Sequence, residues 1–479
     1  MKRLLAFVFV LFSGSMLMAQ QGYDINITLK PFKNNYIYLG YHYGTKKALA
    51  DSALLDANSK GVFKGKQALP GGIYFVVSPR KEILFELLID KQQQFTISAD
   101  TSKLPASIVY TGSADNTLFQ QYTNYANKTG MEATRDNTLL ANAKTSKDSA
   151  EISARLKNMG DRLQAYRDSL EKKYPASLLT ALFKAMKEPN VPPDSKHPGG
   201  KYDSNFAYQY YKSHFWDGVE WTDGRLVRTP FFEPKLIKYY RELVPPNPDS
   251  LIKEVDKMIL YSRSNKEMYK FLMVHFVQKY INPEYMAQDA VFVHLFEKYI
   301  NTNQTDFFTQ QYREFMNKRA YSLMANLIGR QAANLEMVDS LDKPMNLYDV
   351  KADMTVVCFW DPTCSHCKEI VPRLDSIYHA KWIKQGVKVY GVMTDGGKPT
   401  WINFIKDHKL NDWIHVYQLP SKEVEDNATG RASYKQLYDV YQTPILYLLD
   451  KDKRIVAKKL SFEQLNEVID LKIKKSSSN

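Results

Sequence analysis

The three cysteines of this 479-residue chain, Cys358, Cys364 and Cys367, lie within one ten-residue stretch. Cysteines this close in sequence cannot join distant parts of the chain, so a framework of structural disulfides is excluded. Cys364 and Cys367 are three residues apart, and on a helical turn their Cα atoms would lie about 5 Å apart. A disulfide accepts that separation. The pair can therefore open and close in place, which is the chemistry of thiol–disulfide exchange.

The segment from Phe359 to Lys368 is predicted to run from the end of a strand into the start of a helix. Cys364 would then lie at a helix N-terminus, where unpaired backbone N–H groups and the positive end of the helix dipole favour a thiolate. Such a position lowers a thiol pKa from roughly 8.5 to somewhere between 3.5 and 7.5. We therefore predict that Cys364 is the nucleophile and that Cys367, one turn further, is the resolving thiol.

These residues resemble the thioredoxin superfamily, and within it the exported TlpA/ResA-like thiol-disulfide oxidoreductases. The resemblance runs from about Asn334 to Lys474 and is carried by Trp360, the Cys364-Ser365-His366-Cys367 pair, Pro372 and Thr443-Pro444. It implies a cis peptide bond before Pro444 and client-protein contacts at Trp360, Thr443 and Pro444. It also implies clients that carry thiols or disulfides, an upstream electron donor or acceptor protein, and no small-molecule cofactor.

Two positions depart from the pattern of that family. Thioredoxins place a buried carboxylate where this chain has Cys358, and ResA-like members often carry a glutamate where it has Ile370. Asp361 or Glu369 could substitute as the proton acceptor for the resolving thiol Cys367; the alternative for each is a solvated surface carboxylate. We interpret Cys358 as an inert core thiol rather than a third redox partner.

His366, between the two cysteines, has two interpretations. Its ring could stabilise the Cys364 thiolate and make the disulfide more oxidising, as a histidine does at that place in DsbA-like oxidases. It could equally be an exposed residue at the start of a helix, with little effect. The sequence therefore leaves both directions of exchange open, reduction and oxidation of clients.

The sequence predicts a multidomain chain. Residues 20–112 are expected to form a small antiparallel β domain, because apolar residues recur there with a period of two between turn residues. Residues 113–333 are expected to form a helical middle domain. Its apolar stripe from Ile152 to Tyr174 either packs in a core or joins a partner helix in a coiled coil. Both regions also resemble the β domain and the uncharacterised helical domain that precede such thioredoxin modules.

Residues 334–479 alternate strands and helices, which predicts a C-terminal α/β domain, and the resemblance makes it a thioredoxin fold. A capping box formed by Ser461 and Gln464 is expected to begin the last helix.

The first 19 residues are predicted to be a signal peptide. Lys2 and Arg3 precede an apolar run from Leu4 to Phe12, and Ala19 suits the cleavage position. That run is too short to span a bilayer, and no later stretch approaches the roughly 18 apolar residues of a transmembrane helix. We therefore expect a soluble protein exported to the periplasm, not an integral membrane protein.

Other functional classes are less consistent with the sequence. The formal net charge is +13, but basic and acidic residues alternate, so nucleic-acid binding is not expected. The nine histidines are scattered, which disfavours a metal site. Haem attachment needs histidine where Lys368 stands, and a peroxiredoxin needs threonine at Asp361. The remaining alternative is an envelope protein that binds a glycan, peptide or partner protein and carries a subsidiary redox module.

Overall fold

The computed structural model describes residues 22–477. The predicted signal peptide, residues 1–19, lies outside the described residues. The described chain divides into two compact units, one made of residues 22–243 and 261–271, the other of residues 244–260 and 272–477. Across residues 22–477, no helix has both the length and the apolar character needed to cross a membrane.

The described part of the first unit begins with two four-stranded sheets. The strands are β1 (Tyr23–Lys30), β2 (Tyr36–Tyr43), β3 (Lys46–Leu54), β4 (Lys60–Gly65), β5 (Gly72–Val77), β6 (Ile83–Ile89), β7 (Gln94–Asp100) and β8 (Val109–Thr111). One sheet has the order β4-β1-β7-β8 and the other β3-β2-β5-β6. Apolar side chains of both sheets, such as Ile27 and Leu39, share one core. The predicted antiparallel β domain is confirmed as a sandwich, with one parallel pair, β1 and β7.

The sequence pattern does not predict strands β3 and β4. Strand β3 lies at a sheet edge and is mostly exposed, so it lacks the apolar alternation of a half-buried strand. Polar contacts hold it instead. The carboxylate of Asp51 accepts hydrogen bonds from Tyr23 Oη at 2.8 Å and from the backbone N–H of Lys64 at 3.1 Å.

The middle of the chain is helical, as predicted. The helices are α1 (Ala114–Ala141), α2 (Ser146–Lys173), α3 (Leu178–Met186), α4 (Ser204–His214), α5 (Phe232–Glu242), α6 (Pro248–Ser262), α7 (Lys266–Tyr280), α8 (Asp289–Leu295) and α9 (Gln310–Met324). Helix α2 packs on α1, where Arg155 Nε donates to Asp136 at 2.9 Å and the rings of Tyr125 and Tyr166 lie 4.9 Å apart. The apolar stripe of α2 therefore serves core packing.

The predicted C-terminal α/β fold is confirmed in the part of the second unit that the structure describes. Its strands are β9 (Met354–Trp360), β10 (Val387–Met393), β11 (Ile414–Tyr417), β12 (Ile445–Asp450) and β13 (Ile455–Lys458), in the sheet order β11-β10-β9-β12-β13. Its helices are α10 (Ser365–Ile377), α11 (Lys398–Asp407), α12 (Pro420–Thr429), α13 (Tyr434–Leu437) and α14 (Phe462–Ser477). Strands β9, β10 and β11 are parallel to one another, β12 is antiparallel to β9, and β13 is antiparallel to β12.

The central strand β9 leads into the turn that carries Cys364 and Cys367. All its residues are buried, and successive side chains alternate between two cores. Cys358 and Trp360 enter the core that also holds Cys367. Helix α14 closes the fold, and its predicted capping box is confirmed: Gln464 N donates to Ser461 Oγ at 3.3 Å, and Ser461 N donates to Gln464 Oε1 at 3.1 Å.

Candidate functional site

A tight turn between β9 and α10 carries Cys364 to the N-cap of the helix. The Asp361 carboxylate accepts from the backbone N–H and the hydroxyl of Thr363, both at 2.7 Å. The carbonyl of Asp361 accepts from Cys364 N at 3.2 Å. Cys364 has extended backbone angles, φ −70° and ψ 128°, and the helix begins at the next residue. Its sulfur therefore lies at the positive end of α10.

The Cys364 thiol is half-buried and surrounded by groups that favour its charged form. The backbone N–H of Cys367 donates to the Cys364 sulfur, and the side chain of Thr443 and the backbone N–H of His366 add further contacts. Together they outweigh partial burial and lower the pKa of Cys364 below its ordinary value. An accessible thiol with a lowered pKa is the reactive kind.

Cys367 has the opposite environment. It is fully buried, and burial raises the pKa of its thiol to about 11, although the backbone N–H of Asp361 donates to its sulfur at 3.4 Å. Cys358 is also fully buried in the same core, and burial raises its pKa well above the ordinary value. The three sulfurs thus comprise one accessible thiol and two buried, protonated ones.

The Thr443-Pro444 peptide bond is cis, as predicted. The Cys364 thiol donates to the Thr443 carbonyl oxygen at 3.5 Å. Pro444 lines a cleft with a volume of about 760 Å³, which we call the Pro444 cleft. Its other lining residues include Phe315, Lys318, Arg319, Ile370, Tyr441 and Phe462.

The structure corrects the client contact expected at Trp360. This side chain is fully buried and packs on Phe404, with ring centroids 5.2 Å apart. A side chain with no exposed surface cannot touch a client in this conformation. Trp360 is therefore a core residue beneath the turn that carries Cys364.

The two candidate proton acceptors, Glu369 and Asp361, have different surroundings. Glu369 is exposed and pairs with Arg373 at 3.4 Å, so the surface-carboxylate interpretation holds for it. The Asp361 carboxylate is engaged by Thr363, and Asp361 reaches Cys367 through its backbone N–H rather than through its carboxylate.

The His366 ring is exposed. Its closest link to the redox pair is the backbone N–H directed at the Cys364 sulfur.

Sequence reasoning missed a buried polar cluster next to Trp360. The Nδ1 atom of His415 and the Nε1 atoms of Trp360 and Trp401 are buried and have no hydrogen-bond partner within residues 22–477. The Nε2 atom of His415 donates to the Leu410 carbonyl at 2.7 Å, and burial lowers the pKa of His415 to about 4. The backbone of Gly391 packs closely against this cluster. A Cβ at that position would lie 3.3 Å from both His415 Nδ1 and Trp360 Nε1, so a side chain there would crowd the two rings.

The nine scattered histidines gave no sign of that cluster. Sequence reasoning also missed the part of α9 that lines the Pro444 cleft, because no motif links Phe315 or Lys318 to Pro444. Within residues 22–477, no group of three or more His, Cys, Asp or Glu side chains could hold a metal ion.

Three family profiles match successive parts of the chain. The AhpC/TSA family matches residues 328–458, a domain of unknown function (DUF5106) matches residues 142–321, and another (DUF4369) matches residues 23–119. The redox pair lies inside the first of these matches. The two domains of unknown function cover the helical middle and the β sandwich.

Similar proteins are found among thiol-disulfide oxidoreductases. ResA from Bacillus cereus is 26% identical over 143 residues, which are 30% of this chain and 75% of that protein. ResA from Bacillus subtilis is 27% identical over 129 residues, 27% of this chain and 64% of that protein.

Among solved structures, a thioredoxin-like protein from Bacteroides caccae is 19% identical, with a TM-score of 0.45, and the match covers 60% of this chain and 99% of that one. A domain of a possible thiol-disulfide isomerase from Cytophaga hutchinsonii is 32% identical, with a TM-score of 0.28, and the match covers 32% of this chain and 97% of that one.

Proposed function

Because residues 328–458 form a thioredoxin-like domain of the AhpC/TSA family and the chain is homologous to the ResA thiol-disulfide oxidoreductases, we propose that it exchanges disulfides with client proteins through Cys364 and Cys367. The observation that carries this proposal is the contrast between the two thiols. The half-buried Cys364 has a lowered pKa, whereas the buried Cys367 has a pKa of about 11. In such a pair Cys364 is the attacking thiol, and Cys367 stays protonated until the resolving step.

In the reductive direction, the Cys364 thiolate attacks one sulfur of a client disulfide. A new S–S bond joins Cys364 to the client, and the other client sulfur leaves as a thiolate. Cys367 then attacks the Cys364 sulfur, the second client sulfur leaves, and two electrons have passed from the protein dithiol to the client. An upstream dithiol restores the reduced protein. The reverse steps oxidise a client dithiol.

The surroundings of the pair support this order of events. Cys367 is protonated at neutral pH because its pKa is about 11, so it does not compete with Cys364 for the client. The backbone N–H of Asp361 is placed to stabilise the Cys367 thiolate when its proton leaves. The Thr443 carbonyl oxygen lies 3.5 Å from the Cys364 sulfur, and Pro444 follows Thr443 in the chain, so the bound client strand would pass there. The buried Trp360 side chain packs in the core next to the turn that carries Cys364.

We place this activity in the periplasm. The leader pattern from Lys2 to Ala19 supports export. Disulfides form and persist in an oxidising compartment, which suits a protein that exchanges disulfides both with clients and with an upstream protein. Its partners there would be client proteins with thiols or disulfides and one upstream protein that supplies or accepts electrons.

Trapping the mixed disulfide tests the proposal. In Cys367→Ser the resolving step is blocked, so this variant should accumulate covalent complexes with disulfide-bonded clients that dithiothreitol releases. Cys364→Ser should form none and should exchange no disulfide. A Cys364→Ser variant that keeps the cellular function would contradict the proposal and favour the alternative of a binding protein.

Equilibration against glutathione buffers then sets the direction. A reduction potential of about −270 mV would indicate a reductase, and one of about −120 mV would indicate an oxidant.

A further inference from the structure

The Pro444 cleft has one wall that lies outside the part of the chain matched by the AhpC/TSA family. Pro444 and Tyr441 lie within the matched residues 328–458, whereas Phe315 and Lys318 come from helix α9. All of these residues belong to the second compact unit. Ile370, three residues after Cys367, also lines the cleft, and Pro444 directly follows Thr443, whose carbonyl oxygen lies 3.5 Å from the Cys364 sulfur. A helix of the middle region therefore lines a cleft that includes chain neighbours of Cys367 and of Thr443.

Helix α9 is held firmly against this surface. The Arg319 guanidinium pairs with Asp439, whose side chain is 1% exposed. Ser322 Oγ donates to the Gln436 carbonyl at 2.5 Å, and Asn326 Nδ2, just beyond α9, donates to the Leu437 carbonyl at 3.0 Å. The helix wall is thus tied to the segment that leads into Pro444.

A buried ion pair adds a second anchor. Lys458 Nζ lies 2.5 Å from Asp289, a residue of α8, and also donates to Asn326 Oδ1 at 2.6 Å. The side chains of Lys458 and Asp289 are 4% and 5% exposed. Removing one partner of a buried ion pair is strongly destabilising. The Lys458 contacts therefore hold strand β13 against α8 and against Asn326, just beyond α9.

The cleft combines apolar and positively charged surface. Tyr441 is 74% exposed and Phe315 is 46% exposed, although large aromatic rings are usually buried. The charged lining residues are Lys318, Arg319, Lys459 and Asp439, which leaves a net charge of +2. Arg319 and Lys459 both pair with Asp439, whereas the exposed Lys318 has no ion-pair partner among the residues that the structure describes.

We propose that the Pro444 cleft binds an extended segment of the client next to its redox cysteine, with a large apolar side chain against Phe315 and Tyr441 and a carboxylate against Lys318. The inference rests on the proposed function and adds the class of client. Three observations carry it. The cleft is lined by Pro444, which directly follows Thr443 in the chain, its aromatic rings are exposed, and its lining has a net positive charge. The volume of about 760 Å³ also lies within the range of ligand pockets, roughly 300–1,000 Å³.

The test compares two synthetic disulfide-bonded peptides that differ only in the residues flanking one cysteine, Asp and Phe in one and Lys and Phe in the other. The reduced full-length protein is mixed with each peptide, and kcat/KM for exchange is measured at low salt. The wild type should favour the acidic peptide by about tenfold, since charge complementarity speeds association at low salt. Lys318→Glu should abolish or reverse this preference.

The controls separate the cleft from the redox chemistry. Lys406→Glu, an equal charge change at an exposed residue near the end of α11, should keep the preference. Exchange with 5,5′-dithiobis(2-nitrobenzoate), which is too small to fill the cleft, should be equal in all of these variants. Equal rates for both peptides in the wild type, or the same loss in Lys406→Glu, would overturn the cleft proposal alone. Failure of the wild type to react with the small disulfide would overturn the proposed function and the cleft proposal with it.

A second pair of variants tests the apolar contact. Phe315→Ala should lower kcat/KM for the acidic peptide by about fivefold to tenfold, because the side chain that packs on the peptide is lost. Tyr321→Ala changes an aromatic residue of the same helix that is 60% exposed and does not line the cleft, so it should have no such effect. Equal losses in both variants would contradict the contact at Phe315.

Discussion

The backbone N–H of Asp361 donates to the sulfur of Cys367 at 3.4 Å. The position that sequence reasoning considered for a carboxylate proton acceptor therefore acts through its peptide group. This contact lowers the pKa of Cys367, but burial raises it more, and the result is about 11. The Cys367 thiol is thus kept protonated at neutral pH.

The contrast between the thiols predicts selective alkylation. Iodoacetamide at pH 7 should modify Cys364 in the reduced native protein and leave Cys358 and Cys367 unmodified, because only thiolates react and only Cys364 has a lowered pKa. Raising the pH should increase the Cys364 rate up to a plateau, and the midpoint of that rise should lie below the pKa of an ordinary cysteine thiol. Peptide mass mapping measures the sites. Modification of Cys367 before Cys364 would contradict the assigned roles.

A second prediction separates the ring of His366 from its backbone. His366→Ala keeps the N–H that approaches the Cys364 sulfur, and should leave the Cys364 pKa nearly unchanged because the lost ring is exposed to solvent. His366→Pro removes that N–H in the first turn of α10, where proline is tolerated, and should raise the Cys364 pKa. The pH dependence of alkylation measures both. A larger shift in the alanine variant would restore the interpretation in which the ring stabilises the thiolate.

A third prediction concerns Cys358. Its thiol is fully buried and its pKa is well above the ordinary value, so it should not take part in exchange. Cys358→Ala should keep kcat/KM within about twofold of the wild type and lower only the stability, by about 1 kcal/mol, through the small cavity that it leaves. Exchange kinetics and urea denaturation measure the two effects. A loss of exchange without a loss of folding would make Cys358 a redox partner.

A fourth prediction uses two glycines. A Cβ at Gly391 would lie 3.1 Å from the Trp413 ring and 3.3 Å from His415 Nδ1, so Gly391→Ala should destabilise the protein by about 1–3 kcal/mol through overpacking. Gly160 lies within α2, and a Cβ added there would meet no neighbouring side chain within 4 Å among the described residues. Gly160→Ala should therefore stabilise, by up to about 1 kcal/mol. Urea denaturation of both variants compares them, and equal effects would disprove the crowding at Gly391.

A fifth prediction concerns the anchor of α9. Burial favours the neutral acid at Asp439, but its ion pairs with Lys459 and Arg319 prevail and lower its pKa. The resulting stability is present above the ordinary pKa of about 3.9 and is lost as the pH falls through the lowered value. Asp439→Asn should therefore cost about 3 kcal/mol at pH 7, and the difference from the wild type should shrink below about pH 4.

The matched control for Asp439 is an exposed ion pair. Asp395 pairs with Lys435 at 3.1 Å, and its side chain is 68% exposed. Asp395→Asn should change the free energy of unfolding by less than about 1 kcal/mol. If both variants lost the same stability, burial of the Asp439 pair would not be the cause.

The sequence by itself determined the spacing of Cys364 and Cys367, the strand and helix that carry them, and the three kinds of fold along the chain. These features depend on residues close in sequence: the spacing of Cys364 and Cys367, the period-two pattern of the strands, and the capping of α14 by Ser461. Local spacing decides them because hydrogen bonding within a turn or a helix involves residues only three or four apart. Strand β3 escaped prediction because an exposed edge strand lacks that pattern.

The tertiary structure decided what surrounds the pair. Cys364 and Thr443 are 79 residues apart in the chain, and Arg319 and Asp439 are 120 apart. The periodicity of apolar residues in the sequence does not indicate such contacts, because they form only when separate elements pack together. For the same reason the burial of Trp360 and the position of α9 beside Pro444 could not be read from spacing. The sequence determined the spacing of the two cysteines, and packing decided how buried each sulfur is, how readily each thiol ionises and which side chains surround the pair.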